Sequence, residues 1–203
     1  MSYLRMAFIR LLYLVLIGLC SLTAHAQRGA LTTARSLDQL TREADLIVHG
    51  YVTSTKVEPH PELRNLTTVV ISMEVQETLK GAPRKSLQFR QYIWDIRDRL
   101  DAARYQKGEE LLLMLGPVSK YGLTSPVGLE QGRFRVTRDN RGQLTAVNGK
   151  GNVGLFRSTE VRARAAGVKL STRQTELLRQ DQPGPVVLDE LKDAIRTFAG
   201  ATQ

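Results

Sequence analysis

Between Leu46 and Val147 the apolar residues return at every second position in short runs, and that period commits the chain to a sheet rather than a helical bundle. The clearest run is Leu66 to Leu79. Val69, Ile71, Met73 and Val75 fall on one face there, and Ser72, Glu74 and Gln76 on the other. LIVHGYVTSTKV (46–57) is rich in β-branched and aromatic residues, with Gly50 where a bulge or bend is expected. Pro59 and Pro61 then stop the ladder, so 58–65 reads as a loop. Leu87, Phe89 and Ile93 alternate through a third strand. LLLML (111–115), apolar at every position, predicts a strand buried on both faces at the centre of the core. GRFRV (132–136) and Leu144–Val147 form a hairpin around Asp139-Asn140-Arg141-Gly142. Six short strands with brief links predict a small antiparallel barrel or sandwich.

Helices flank this core. Ser36 and Gln39 make a capping box over Thr33–Ala44, with Leu37, Leu40 and Ala44 on one face, and Ser171 with Gln174 repeats the device. In VVLDELKDAIRTFAG, the stripe Leu188, Leu191, Ile195 and Phe198 predicts a final helix packed on the sheet. The glycine-rich NGKGNVG (148–154) and the basic stretch to Lys169 read as a connector or a flap. The expected organisation is a leader over 1–26 and one domain over 27–203, its β core at about 44–148 and its connector and C-terminal helices at 149–200.

The leader is read from Arg5 and Arg10, the apolar run Leu11–Leu19, and the small-x-small site Ala24-His25-Ala26 recognised by signal peptidase. The run is too short to span a bilayer, so integral membrane insertion is not expected after processing, and the mature chain is expected in the periplasm or the medium. Leu19 before Cys20 argues against lipidation. Cys20 is the only cysteine, so a chain starting at Gln27 has no disulfide, zinc thiolate or thiol nucleophile. Of the 29 Lys and Arg, two lie in the leader, leaving 27 against 20 acids, a net charge of +7. That charge keeps a protein soluble and also biases encounters toward anionic partners. Outside the cytoplasm these are acidic proteins or anionic envelope components, not nucleic acid.

Reactive chemistry is sparse. The mature chain has two histidines, His49 among aliphatic strand residues and His60 between prolines in an expected surface loop. Glu58-Pro-His60-Pro-Glu62 offers at best a loose divalent site, since a metal needs three or four convergent ligands. Neither Gly-x-Ser-x-Gly nor Ser-x-x-Lys stands at a strand-to-helix turn, and the glycines at 149, 151 and 154 lack the Lys-Ser/Thr of a phosphate loop. Asp95, Asp98, Asp101, Glu109 and Glu110 could supply a carboxylate pair, though the first three flank arginines in a charged stretch. No cofactor is implied. The stronger candidate is a binding face: Tyr92 and Trp94 beside Arg90, with Arg133 and Arg135 pointing away from the inward Phe134 and Val136.

ADLIVHGYV (44–52), VVISMEVQETLKG (69–81), KGEELLLML (107–115) and GLEQGRFRV (128–136) resemble a broad group of exported bacterial proteins. Their barrel is similar to the OB-type fold of netrin-like and metalloproteinase-inhibitor domains. The resemblance covers about half the chain and implies a mainly β, α+β fold: an OB-like barrel of five to six strands with short terminal helices. It implies a binding surface and no named ligand. The inhibitor mechanism, in which an N-terminal cysteine chelates the protease zinc, does not carry over to a chain beginning at Gln27. The expected function is an exported, non-catalytic binding domain. An inhibitor or accessory protein of an exported enzyme, and more distantly a carboxylate hydrolase, stay open.

Overall fold

In the computed structural model, which describes residues 32–93 and 102–201, LLLML lies on the central strand of the sheet. Strand β4 (Glu110–Leu115) carries it, and each of its five residues is at most 2% exposed. Leu112 and Met114 face one apolar core; Leu111, Leu113 and Leu115 face a second. Alternation along one strand thus serves two cores, which is why the run has no polar position.

Around β4 the other strands are β1 (Leu46–Pro59), β2 (Thr67–Lys80), β3 (Ser86–Tyr92), β5 (Arg133–Arg138), β6 (Leu144–Asn148) and β7 (Val186–Val187). All pair antiparallel in one sheet of order β3-β2-β1-β4-β5-β6-β7. The mainly β, α+β expectation holds, but the closed barrel of five to six strands does not. Among the described residues no ladder joins β3 to β7, and the sheet stays open. A loop stands partly in for closure: after β4 it makes two isolated bridges, Leu115 with Pro126 and Arg90 with Leu123, so it crosses from the end of β4 to the edge of β3. Beneath that crossing the β3-β2-β1-β4 end buries Val69, Ile71, Phe89 and Leu113 in a core of its own, in which no α-helix among the described residues takes part.

The opposite face is closed by helices. Of the four among the described residues, α1 (Leu37–Glu43) and α4 (Leu188–Gly200) supply Leu37, Leu40, Leu191 and Ile195, each fully buried. The Ser36–Gln39 capping box forms. The segment expected to be a connector or flap is instead packed: Leu155 and Phe156 are buried, and α2 (Thr159–Ala165) and α3 (Thr172–Arg179) follow. Its apolar pair enters the helix-side core, and that burial outweighs the flexibility its glycines suggest. Arg162 of α2 fixes α1 through Asp38, at 2.8 and 2.7 Å, and through Ser36.

At Gly50 the expected bulge is present as a register shift between His49 and Gly50. A Cβ there would lie 2.0 Å from the Glu74 carbonyl oxygen, so glycine is required by the close passage of β2. No helix among the described residues is long and apolar enough to cross a membrane. The leader, including Ala24 and Ala26, lies outside the described residues.

Candidate functional site

Register sets the charged groups. Arg135 pairs with Leu111 and Arg133 with Leu113, so both arginines lie on the face of the second core, while Phe134 faces the helices. That common face is as expected, but only Arg135 is open to solvent. Its side chain is 57% exposed, and its Nε donates to Glu109 Oε1 at 2.7 Å. Arg133 is only 8% exposed, which corrects the expectation of an outward side chain. The cause is Tyr105, which follows a short 3-10 turn (Ala102–Arg104) and caps the core edge-on to Phe89. The Arg133 guanidinium lies 4.9 Å from the Tyr105 ring centre, donating to the Ala103 carbonyl at 3.0 Å and to Glu130 Oε2 at 2.9 Å. A cation so desolvated survives because its donors are met and its face is stacked. Burial pushes the Tyr105 phenol up, and it stays a donor, to Gln91 Oε1 at 3.0 Å.

A cavity of about 220 Å³ opens here, lined by Arg104, Glu109, Glu130, Arg133 and Arg135 together with Val147–Gly149. Its frame is built tightly. Glu130 follows Leu129, and a Cβ on Gly149 would stand 2.2 Å from Glu130 Oε2, so only glycine lets the carboxylate pass. Asn148 donates to the Gln131 carbonyl at 3.1 Å and accepts from the Asn152 amide at 2.9 Å. Ala103, Arg104 and Leu129 sit in the left-handed region, at φ 55°, 66° and 57°. They are three of the five such non-glycine residues among those described, so this strain gathers at one place.

Tyr92 lines a different groove, of about 430 Å³, with Gln91 and the crossing loop around Gly116 and Leu123–Leu129. Trp94, Asp95, Asp98 and Asp101 lie outside the described residues. The expected face is therefore divided: Arg133 and Arg135 share one cavity, and Tyr92 belongs to another.

The two histidines are held in hydrogen bonds. His49 Nε2 meets Glu110 Oε1 at 2.8 Å, as expected for a structural strand residue, while its buried Nδ1 has no partner. Burial, and then the charge of Lys192, hold the ring below the ordinary histidine range against the pull of Glu110. His60, expected in a surface loop, is only 2% exposed. Its Nδ1 accepts from the Glu62 and Leu63 amides at 3.2 and 3.0 Å, which places the ring proton on Nε2, 2.8 Å from the Tyr121 carbonyl. Glu58 turns to Lys56 and Arg90, whose hydrogen bonds hold it below the usual carboxylate range, so the Glu-Pro-His-Pro-Glu ligands do not converge. Glu109 and Glu110 engage opposite faces of the sheet, one on Arg135 and the other on His49, and do not make a carboxylate pair.

Sequence reasoning missed Arg104, Tyr105 and Glu130. Tyr105 was hidden in a charged stretch read as solvated. Glu130 carried one usable signal, its position three residues before Arg133. Comparison with protein-family models, with curated proteins and with solved structures finds no match.

Proposed function

We propose that this chain is an exported, non-catalytic binding domain whose recognition surface is the arginine-lined cavity between β4 and β5. The observation that carries the reading is the pairing of a buried, stacked Arg133 with a solvent-open Arg135 on one strand face at a small concavity. Rigid guanidinium groups with an aromatic support are what binding surfaces use. The histidines support binding over acid-base chemistry, because His49 is buried against Glu110 and both His60 nitrogens are engaged. Export rests on the sequence of residues 1–26. The partner is a protein or an anionic envelope component.

The test is affinity capture from a native envelope extract by the protein and by Arg135→Ala, with intact mass confirming a chain that starts at Gln27. The expected result is capture that weakens with salt and is lost in the variant. Capture of the same proteins by both, with the same salt sensitivity, overturns the reading.

A further inference from the structure

We infer that the cavity is a seat for a single oxyanion group of the ligand, and that Glu109 occupies part of that seat as an internal stand-in. This rests on the binding reading above and names its ligand chemistry. The lining brings three guanidinium groups, Arg104, Arg133 and Arg135, to one concavity with Glu109 and Glu130. The two carboxylates are held differently. The Glu130 carboxylate, 37% exposed, takes the Arg133 guanidinium, and its backbone carbonyl accepts from the Gly149 amide at 2.9 Å. Glu109, 10% exposed, accepts from the Gln106 amide at 3.3 Å through Oε2 and engages Arg135 only at Nε through Oε1, so the rest of that guanidinium stays open to solvent.

An incoming carboxylate, sulfate or phosphate fits the planar fork of Arg135 in place of Glu109, with Arg133 already positioned by Tyr105 and the Ala103 carbonyl. A volume of about 220 Å³ falls below that of pockets enclosing whole drug-sized ligands and suits one acidic group of a larger partner. The strained turn at Ala103 and Arg104 is consistent with a frame held in the bound geometry before the ligand arrives.

Calorimetric titration of the purified protein with succinate, sulfate and phosphate, at ionic strength fixed with chloride, tests this. At least one should bind saturably, with affinity reduced about tenfold in Arg135→Ala. Glu109→Gln, which keeps shape and removes the competing charge, should bind the same anion several-fold more tightly. The ranking of the three identifies the source, an acidic peptide group for succinate or a sulfated or phosphorylated component for the others. Circular dichroism melts confirm that both variants stay folded. Absence of saturable binding in the wild type and in Glu109→Gln, or binding indifferent to both substitutions, overturns the inference. If that occurs while extract capture still depends on Arg135, the ligand chemistry is wrong and the binding reading survives. Loss of Arg135 dependence in the extract alone removes the binding reading instead.

Discussion

Arg133 and Arg135 are chemically identical, two residues apart on one strand face, and should lose very different amounts of stability on truncation. Arg133→Ala removes the stacking on Tyr105, a hydrogen bond to the strained turn at Ala103 and the partner of Glu130. A desolvated cation-π contact contributes up to about 2 kcal/mol and a hydrogen bond to a charged group about 1.5–3 kcal/mol. Glu130 is 37% exposed and rehydrates, so the net loss should come to about 2–4 kcal/mol. In a domain of this size that corresponds to a fall in Tm of about 5–12 °C. Arg135→Ala removes a 57% exposed guanidinium but leaves Glu109, 10% exposed, with only the Gln106 amide, and should cost about 0.5–1.5 kcal/mol. Urea denaturation followed by circular dichroism measures both, with Arg133→Lys intermediate because it keeps the charge and loses the planar fork. If Arg133→Ala melts within a degree of Arg135→Ala, Arg133 is not a buried support and the frame of the cavity is wrongly described.

Leu113→Ala should destabilise by roughly 2–5 kcal/mol in the same assay, since the residue is fully buried in the core of the β3-β2-β1-β4 end. Gly50→Ala should lower the melting temperature at least as far, because its Cβ meets the Glu74 carbonyl oxygen at 2.0 Å; an unchanged melt would refute the close passage of β2. Stability should also fall with acid in two stages. Burial lowers His49 in the folded state, so the unfolded chain takes up the proton first and stability declines as pH drops below about 6.5. Burial would raise Asp38 and Glu77, but Arg162 and Ser36 hold the first below its ordinary range, and Arg196 with Lys192 the second. Their contribution is present above about pH 4 and is lost as pH falls through their folded values. Melts of the wild type and His49→Phe across pH 4–8 separate the stages, and a wild-type profile flat between pH 7 and 5 contradicts the first.

Strands and helices were legible because their signals are local. The alternation of Val69 to Val75, the aspartate-glycine turn at 139–142, the Ser36 capping box and the stripe from Leu188 to Phe198 each need only neighbouring residues. Whether the sheet closes was not legible, because it depends on how far β1 and β2 curl and on a loop that bridges β4 at Leu115 and β3 at Arg90. The candidate site was half legible. Period two placed Arg133 and Arg135 on one face, but whether that face is solvent or core depends on Tyr105, nearly thirty residues upstream. The partnership of Arg135 with Glu109 needs the β4–β5 register, which no local pattern supplies. The basic stretch around Arg157 to Lys169 misled for a similar reason: its charge is visible in sequence, but the burial of Leu155 and Phe156 beneath it is not.

Recognition at the arginine-lined cavity can be read by hydrogen-deuterium exchange on the protein with and without its captured partner. Protection should appear in three stretches distant in sequence, 102–109, 128–135 and 147–149, and should vanish in Arg135→Ala. Protection confined instead to the crossing loop at 116–127 and the end of β3 at Gln91 and Tyr92 would place recognition in the larger groove and contradict the account.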